Sequence, residues 1–298
     1  MPDYCFDWVD AFTNRRFGGN ACAVVHDADD IPVEDRLRLV RETSLSECAF
    51  VVNSDVADFG ARYYLATREI LMAGHPTIAT VRSLLARGLV KLQDGQADFT
   101  LEVGAGVMPI QVTAGDTDAP MITMTQAAPK FLMACDVDEI ARIYGLSTTD
   151  FIGTPQIVST GTAFCIAVLR DQDALSRAVL NTDRLDDWRQ STGLDNADTM
   201  EPFLVTLSGV GGGDTFSRLL LPPPMPAEDP FTGSATGCMA AYLWHHHLIE
   251  RPSFVAEQGN WLGRPGRAEV TVLGPPDAIT GVRVGGSGVV LMSGTLHL

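Results

Sequence analysis

Glu69-Ile70-Leu71-Met72-Ala73-Gly74-His75-Pro76-Thr77 runs from an acidic residue through a turn of small side chains into a helix. Glu228-Asp229-Pro230-Phe231-Thr232-Gly233-Ser234-Ala235 does the same later in the chain. The strand-like Arg62-Tyr63-Tyr64-Leu65 stands ahead of the first and Arg218-Leu219-Leu220-Leu221 ahead of the second. Each half of the chain therefore offers strand, loop, small-residue turn and apolar helix in one order, which points to two related halves.

Working outward, Phe6 to Phe12 alternates apolar and polar residues as a half-buried strand does, and Ala21 to Val25 reads as a second strand after a basic, glycine-bearing turn. Pro32, Val33, Leu37 and Val40 predict a helix with proline in its first turn. Strands are predicted at 48–52, 61–65, 99–103, 109–112 and 121–125. The helix opened by Gly74 carries Ile78, Val81, Leu84, Leu85 and Leu89 at helical spacing, with Gly88 near its end. The stretch Thr113–Pro120 is small and polar, and two domains are predicted, 1–120 and 121–298, with the final strand free to return to the first. In the second, helices are predicted at 137–144 and 173–180 and strands at 156–160, 164–169, 204–207 and 216–221. A helix running towards Leu248 follows, and then strand and turn to the end, with Gly285-Gly286 as a hinge. Many strands, few helices and no regular alternation between them indicate an α+β fold.

Composition narrows the function. The 298 residues hold 21 Lys+Arg against 37 Asp+Glu, a net charge of −16, and the basic residues form no run or stripe. Polyanions such as nucleic acid, and anionic membrane surfaces, are therefore poor partners. No stretch reaches the roughly 18 uninterrupted apolar residues of a membrane-spanning helix, and the first residues lack the pattern of a signal peptide. The six cysteines are far apart, with no Cys-x-x-Cys pair, so the expectation is a reduced, cytoplasmic protein with buried thiols and no structural metal.

The two helix-start turns present free backbone N–H groups and the positive end of a helix dipole. Either turn alone needs no reading beyond the start of a helix. Two of them in matching positions favour a site between the halves, able to hold a small carboxylate without Lys or Arg. His75 fits either an acid–base or donor role there or a plain structural one. Asp229 fits a turn residue, or a carboxylate that orients His75 or a ligand amine. Glu47, where a helix gives way to a strand, is a solvated charge unless a closed cleft buries it, in which case it becomes a proton shuttle. His245-His246-His247 point about 100° apart on a helix and read as solvated surface. Gly209-Val210-Gly211-Gly212-Gly213 is neither a P-loop nor a dinucleotide fingerprint. Cys48 and Cys238 leave a two-thiol racemase open as an alternative.

Together these residues resemble the PhzF-like family of phenazine-biosynthesis isomerases, which share the diaminopimelate epimerase fold. The resemblance is carried by Phe6-Asp7-Trp8-Val9-Asp10-Ala11-Phe12-Thr13 with Phe17-Gly18-Gly19-Asn20, by Leu45-Ser46-Glu47-Cys48-Ala49-Phe50-Val51, and by the two stretches quoted first. Val158-Ser159-Thr160-Gly161, Glu257-Gln258-Gly259 and Gly263-Arg264-Pro265-Gly266 extend it over most of the chain. It implies two similar domains, each a rolled, mostly antiparallel sheet around a central helix, with the active site between them, and a homodimer. It also implies proton transfer without a cofactor on a small carboxylate-bearing substrate. Glu47 would be the shuttle, with His75 and Asp229 beside it, and Asn20, Gly74, Thr232, Gly233 and Ser234 would position the substrate. Ala73 and Thr232 stand where the two-thiol epimerases of this fold carry cysteine. Ala21 replaces a common proline and Cys48 a usual threonine. An amino-acid racemase or epimerase, and a non-catalytic metabolite-binding protein, are the alternatives.

Overall fold

A computed structural model of the chain describes residues 2–115, 119–193 and 199–298; of the small polar stretch at the expected division, residues 116–118 lie outside those described. The first half comprises β1 (Asp3–Ala11), β2 (Asn20–Val25), α1 (Val33–Thr43), β3 (Cys48–Val52), β4 (Phe59–Tyr64), β5 (Glu69–Ile70), α2 (Gly74–Ala86), β6 (Gln96–Val103), β7 (Gly106–Thr113) and β8 (Met121–Gln126). The chain continues with β9 (Lys130–Ala134), α3 (Val137–Tyr144), β10 (Gln156–Ser159), β11 (Ala163–Leu169), α4 (Gln172–Arg177), α5 (Thr182–Thr192) and β12 (Phe203–Thr206). It ends with β13 (Thr215–Leu220), β14 (Glu228–Asp229), α6 (Gly233–His245), β15 (Ser253–Gln258), β16 (Gly266–Leu273), β17 (Gly281–Gly286) and β18 (Gly288–His297). The fold is α+β.

Hydrogen-bonded neighbours run β18-β1-β2-β3-β4-β6-β7-β8 and then β17-β16-β15-β13-β12-β11-β10-β9, joined where β8 meets β17 antiparallel. The order reads alike from either end. β9 follows β8 in sequence but pairs with β10, whereas β18 follows β17 but pairs with β1. Each half thus ends its sheet with a strand supplied from beyond its partner's seam strand.

Most neighbours are antiparallel. The parallel pair β4–β6 is bridged by α2 and the parallel pair β13–β15 by α6, because parallel strands need a long crossover. Each curled sheet wraps its crossover helix. Residues 74–81 of α2 and 233–243 of α6 are all buried, which explains why both helices are apolar or small on every side. Two of their buried hydroxyls turn back onto the chain. Thr77 donates to the Ala73 carbonyl at 2.6 Å and shares a 2.9 Å hydrogen bond with Tyr63, and Thr236 donates to the Thr232 carbonyl at 2.9 Å.

Several local expectations need correction. Gly285 and Gly286 are no hinge: Gly285 is paired to both β16 and β8, Gly286 ends β17 paired to β8, and a side chain on Gly286 would strike the Phe12 ring. Helix α2 stops before Leu89, because Gly88 takes a φ of +69° and turns the chain out of the helix. The helix expected over 173–180 is Gln172–Arg177, since Ala178 is extended. Of the three histidines ending α6, His245 is not solvated surface; it stacks on Phe131 at 4.2 Å and its Nδ1 lies 2.8 Å from the Pro276 carbonyl. Among the described residues no helix is long and apolar enough to cross a membrane.

Candidate active site

The two crossover helices meet end to end. A Cβ added to Gly74 would fall on the backbone of Gly233 and Ser234, and one added to Gly233 would strike the Phe12 ring and approach Gly74. Only glycine lets the helix starts approach so closely. Neither start has a side-chain cap. Ala73 has no hydroxyl to offer α2, and Thr232 turns its hydroxyl instead to Asp229 Oδ2, at 2.6 Å. First-turn N–H groups lack intrahelical acceptors, so two uncapped, buried helix starts concentrate positive potential in one small region.

Beside this junction the side-chain amide nitrogen of Asn20, at the first residue of β2, contacts three partners. It donates to Asp229 Oδ1 at 2.8 Å and to the Phe231 carbonyl at 2.9 Å, and lies 3.0 Å from His75 Nδ1. Gln258, at the end of β15, accepts from the Thr232 N–H at 3.0 Å and donates to the Asp229 carbonyl at 2.7 Å. Gln126 donates to the Gly233 carbonyl at 3.0 Å. Neither glutamine was singled out as a site residue from sequence, although Gln258 fell in a family motif. Phe12 and Phe231 close one side, stacked at 4.3 Å. Phe12 holds a left-handed φ of +60°, costly for a bulky residue, and its carbonyl accepts from the Arg267 N–H.

Glu47 reaches the junction from just ahead of β3. Its Oε2 lies 3.8 Å from His75 Nδ1 and accepts no hydrogen bond, and His75 Nε2 is likewise buried without a partner. Burial holds the Glu47 carboxyl well above the ordinary carboxylate range, with the Asp229 charge adding to it. Burial also takes His75 down to about 3. Burial thus favours the protonated carboxyl and the neutral ring, the opposite of what an ion pair between them would need. Asp229 is raised to about 6 by burial, against the pull of its hydrogen bonds from Thr232 and Asn20.

These shifts make a stability prediction. Above about pH 4.5 the Glu47 carboxyl of the unfolded chain ionises while that of the folded chain keeps its proton, so the folded state binds more protons and loses stability as pH rises. Asp229 acts in the same sense between its ordinary 3.8 and about 6. Glu47→Gln removes the first contribution. Its melting temperature should match the wild type near pH 4 and exceed it near pH 8, by differential scanning calorimetry. An offset independent of pH would show that folded Glu47 ionises as readily as an unfolded one.

The matching positions of the two halves differ in chemistry. Gly74 and Gly233 are each the first residue of a 13-residue helix, so His75 corresponds to Ser234 and Ala73 to Thr232. Glu69 and Glu228 open the short strands β5 and β14, so Ile70 corresponds to Asp229. Arg62 pairs with Phe50 and Arg218 with Leu204. Counting three residues back makes Glu201 the counterpart of Glu47, but Glu201 is ion-paired to Arg189 at 2.8 Å.

The structure thus brings together Asn20, Glu47, Gly74, His75, Asp229, Thr232, Gly233 and Ser234. Cys48 and Cys238 are buried, and burial pushes their thiols up to about 12 and about 11. Neither is poised as a thiolate base. The glycine-rich loop serves the framework, since the N–H groups of Val210, Gly211 and Gly213 hold the Glu257 carboxylate at 2.7–2.9 Å. A cavity of about 430 Å³ lies beyond Phe12, with Arg15, Met121, Asn260 and Arg267 in its wall, but neither Glu47, His75 nor Asp229 lines it.

The family model described as phenazine biosynthesis-like protein matches residues 9–294. The trans-2,3-dihydro-3-hydroxyanthranilate isomerase of Pseudomonas fluorescens is 31% identical over 298 residues, covering 97% of this chain and 98% of that one. The protein named uncharacterized isomerase YfhB of Bacillus subtilis is 29% identical over 270 residues, 88% of each chain. Among solved structures, the Bacillus anthracis phenazine biosynthesis protein of the PhzF family superposes with a TM-score of 0.83 at 26% identity, covering 100% of both chains.

Proposed function

Because the chain belongs to the PhzC-PhzF family of phenazine biosynthesis-like proteins, whose named relatives include isomerases, we propose that it shifts a proton between carbons of a small carboxylate-bearing metabolite, without a cofactor, in the junction between the two helix starts. The observation that carries this is the buried, unpartnered Oε2 of Glu47 beside His75. Burial favours the protonated form of a carboxyl placed there. Once ionised it is a strong base, because burial favours the return of its proton. Glu47 can therefore both give and take a proton in one cycle and end it as it began. The protonated carboxyl first delivers its proton to one carbon of the substrate's double-bond system, and the carboxylate so formed takes a proton from another carbon, whose C–H bond electrons restore a double bond.

The uncapped N–H groups of Gly74, Gly233 and Ser234 suit the substrate carboxylate. This resolves the problem set by a net charge of −16: the anion is held by short-range dipoles inside the molecule, where the outer field matters least. His75, neutral, is a hydrogen-bond donor and not a charge. Asp229 is held on both oxygens by Asn20 and Thr232.

Trans-2,3-dihydro-3-hydroxyanthranilate, the compound named for the Pseudomonas relatives, is the first substrate to test, followed by other small unsaturated amino or hydroxy carboxylates. Incubation in deuterated water, read by proton NMR, should give an isomer with deuterium at a single carbon. Isomerisation without solvent hydrogen entering any carbon would count against a glutamate that exchanges between turnovers. Tight binding with neither turnover nor exchange would replace the enzyme with a metabolite-binding protein.

A further inference from the structure

Asn20 has the sequence position of a substrate contact, yet its amide nitrogen is fully engaged within the protein. It has two hydrogens and faces Asp229 Oδ1, the Phe231 carbonyl and His75 Nδ1, all within 3.0 Å. Two of the three are unambiguous acceptors, which fixes the amide's orientation. An amide nitrogen carries no available lone pair, so it cannot accept a hydrogen bond from the ring. A proton on His75 Nδ1 would point at a hydrogen-bond donor. That arrangement disfavours both the Nδ1–H tautomer and the imidazolium.

We infer that Asn20 is a positioning residue that locks His75 in the Nε2–H tautomer and ties it to Asp229 of the other half, leaving a buried Nε2–H as the donor offered to the substrate. Nε2 is the ring nitrogen without a partner, as a donor reserved for a ligand would be. The ring is 2% exposed, so water does not compete for it freely. The anchor is also specific to one half. His75 corresponds to Ser234, whose hydroxyl has no tautomer to set. For the same reason Asp229 acts on His75 through Asn20, an intermediary that the chain motifs do not reveal. As to function, the inference rests on the isomerase reading above, but its structural part does not.

The test has two arms. In ¹⁵N-histidine-labelled protein, long-range proton–nitrogen correlation spectra report the tautomer of each ring, with His75 assigned by the loss of its signals in His75→Gln. The expected result is Nε2–H for His75 in the wild type and a mixture of tautomers in Asn20→Ser, whose shorter side chain cannot reach Nδ1. In the second arm Asn20→Ser should lower kcat by about 10- to 10³-fold, since a misplaced proton on a site histidine removes the donor, with KM changed by no more than about threefold. A wild-type His75 in the Nδ1–H form overturns the inference. So does an Asn20→Ser variant with an unchanged tautomer, whether its kcat is intact or the loss falls on KM, because the latter returns Asn20 to substrate contact. If no substrate is ever turned over, the isomerase reading fails while the spectroscopic arm still decides the tautomer.

Discussion

Glu47→Gln is expected to abolish hydrogen exchange at the substrate carbons and to lower kcat by about 10²–10⁴-fold, the span typical for losing a positioned acid–base group, with KM nearly unchanged. Glutamine keeps the shape of the side chain and can keep the amide-for-carboxyl packing beside His75, but it can neither take nor return a proton. The position makes the substitution informative. Burial favours the protonated form of the wild-type carboxyl, which the neutral amide matches in charge as well as in shape. A fall in rate would then reflect lost proton transfer and not lost electrostatics. Full retention of kcat would remove Glu47 from the chemistry, and His75, whose Nε2 is also buried without a partner in the junction, would be the next to vary.

Gly74→Ala should be comparably severe by a different route. In most helices this change stabilises by up to about 1 kcal/mol. Here the new methyl would land on Gly233 and Ser234 backbone atoms of the facing helix. Backbone cannot swing aside as a side-chain tip does, so the two helix starts must separate. A net destabilisation of about 2–4 kcal/mol is expected, at and somewhat above the usual cost of overpacking, as a lower denaturant midpoint with an unchanged slope. The same separation spreads the N–H groups proposed to hold the substrate carboxylate, so kcat/KM should fall by about 10²-fold even well below the melting temperature. A variant as stable and as active as the wild type would show that the helix starts need not touch.

Most of the elements could be read from the chain because one face or one helix stripe is buried in each. Met108, Ile110 and Val112 in β7, or Ile140, Ile143 and Tyr144 in α3, report their own structure. Where no such contrast exists the reading failed. Helix α5 buries only Leu185 and Trp188 among charged residues, and β9 exposes Leu132 and Met133 along an edge. The exchange of β9 and β18 between the halves has no local signal, since a strand's sequence specifies which face is buried but not which neighbour it takes. At the site, Glu47, His75 and Asp229 were marked by motif. What they bond was not. Asn20 and Gln258 lie far in sequence from the atoms they hold, and Thr232 is visible as a cap but not as a cap diverted to Asp229.

The frame repeats itself but its equipment does not. Turning the molecule's halves into one another carries His75 onto Ser234, Asp229 onto Ile70 and the unpaired Glu47 onto a glutamate neutralised by Arg189. If the helix starts hold a carboxylate as proposed, a metabolite rotated by half a turn in the junction should find it equally welcome, because both starts lack a side-chain cap. Its reacting carbons, however, would face a hydroxyl and an aliphatic side chain. Grip is even-handed and chemistry is not. On the proposed reading, a substrate seated the wrong way round should bind and not react, and a carboxylate whose shape admits both seatings should inhibit its own conversion.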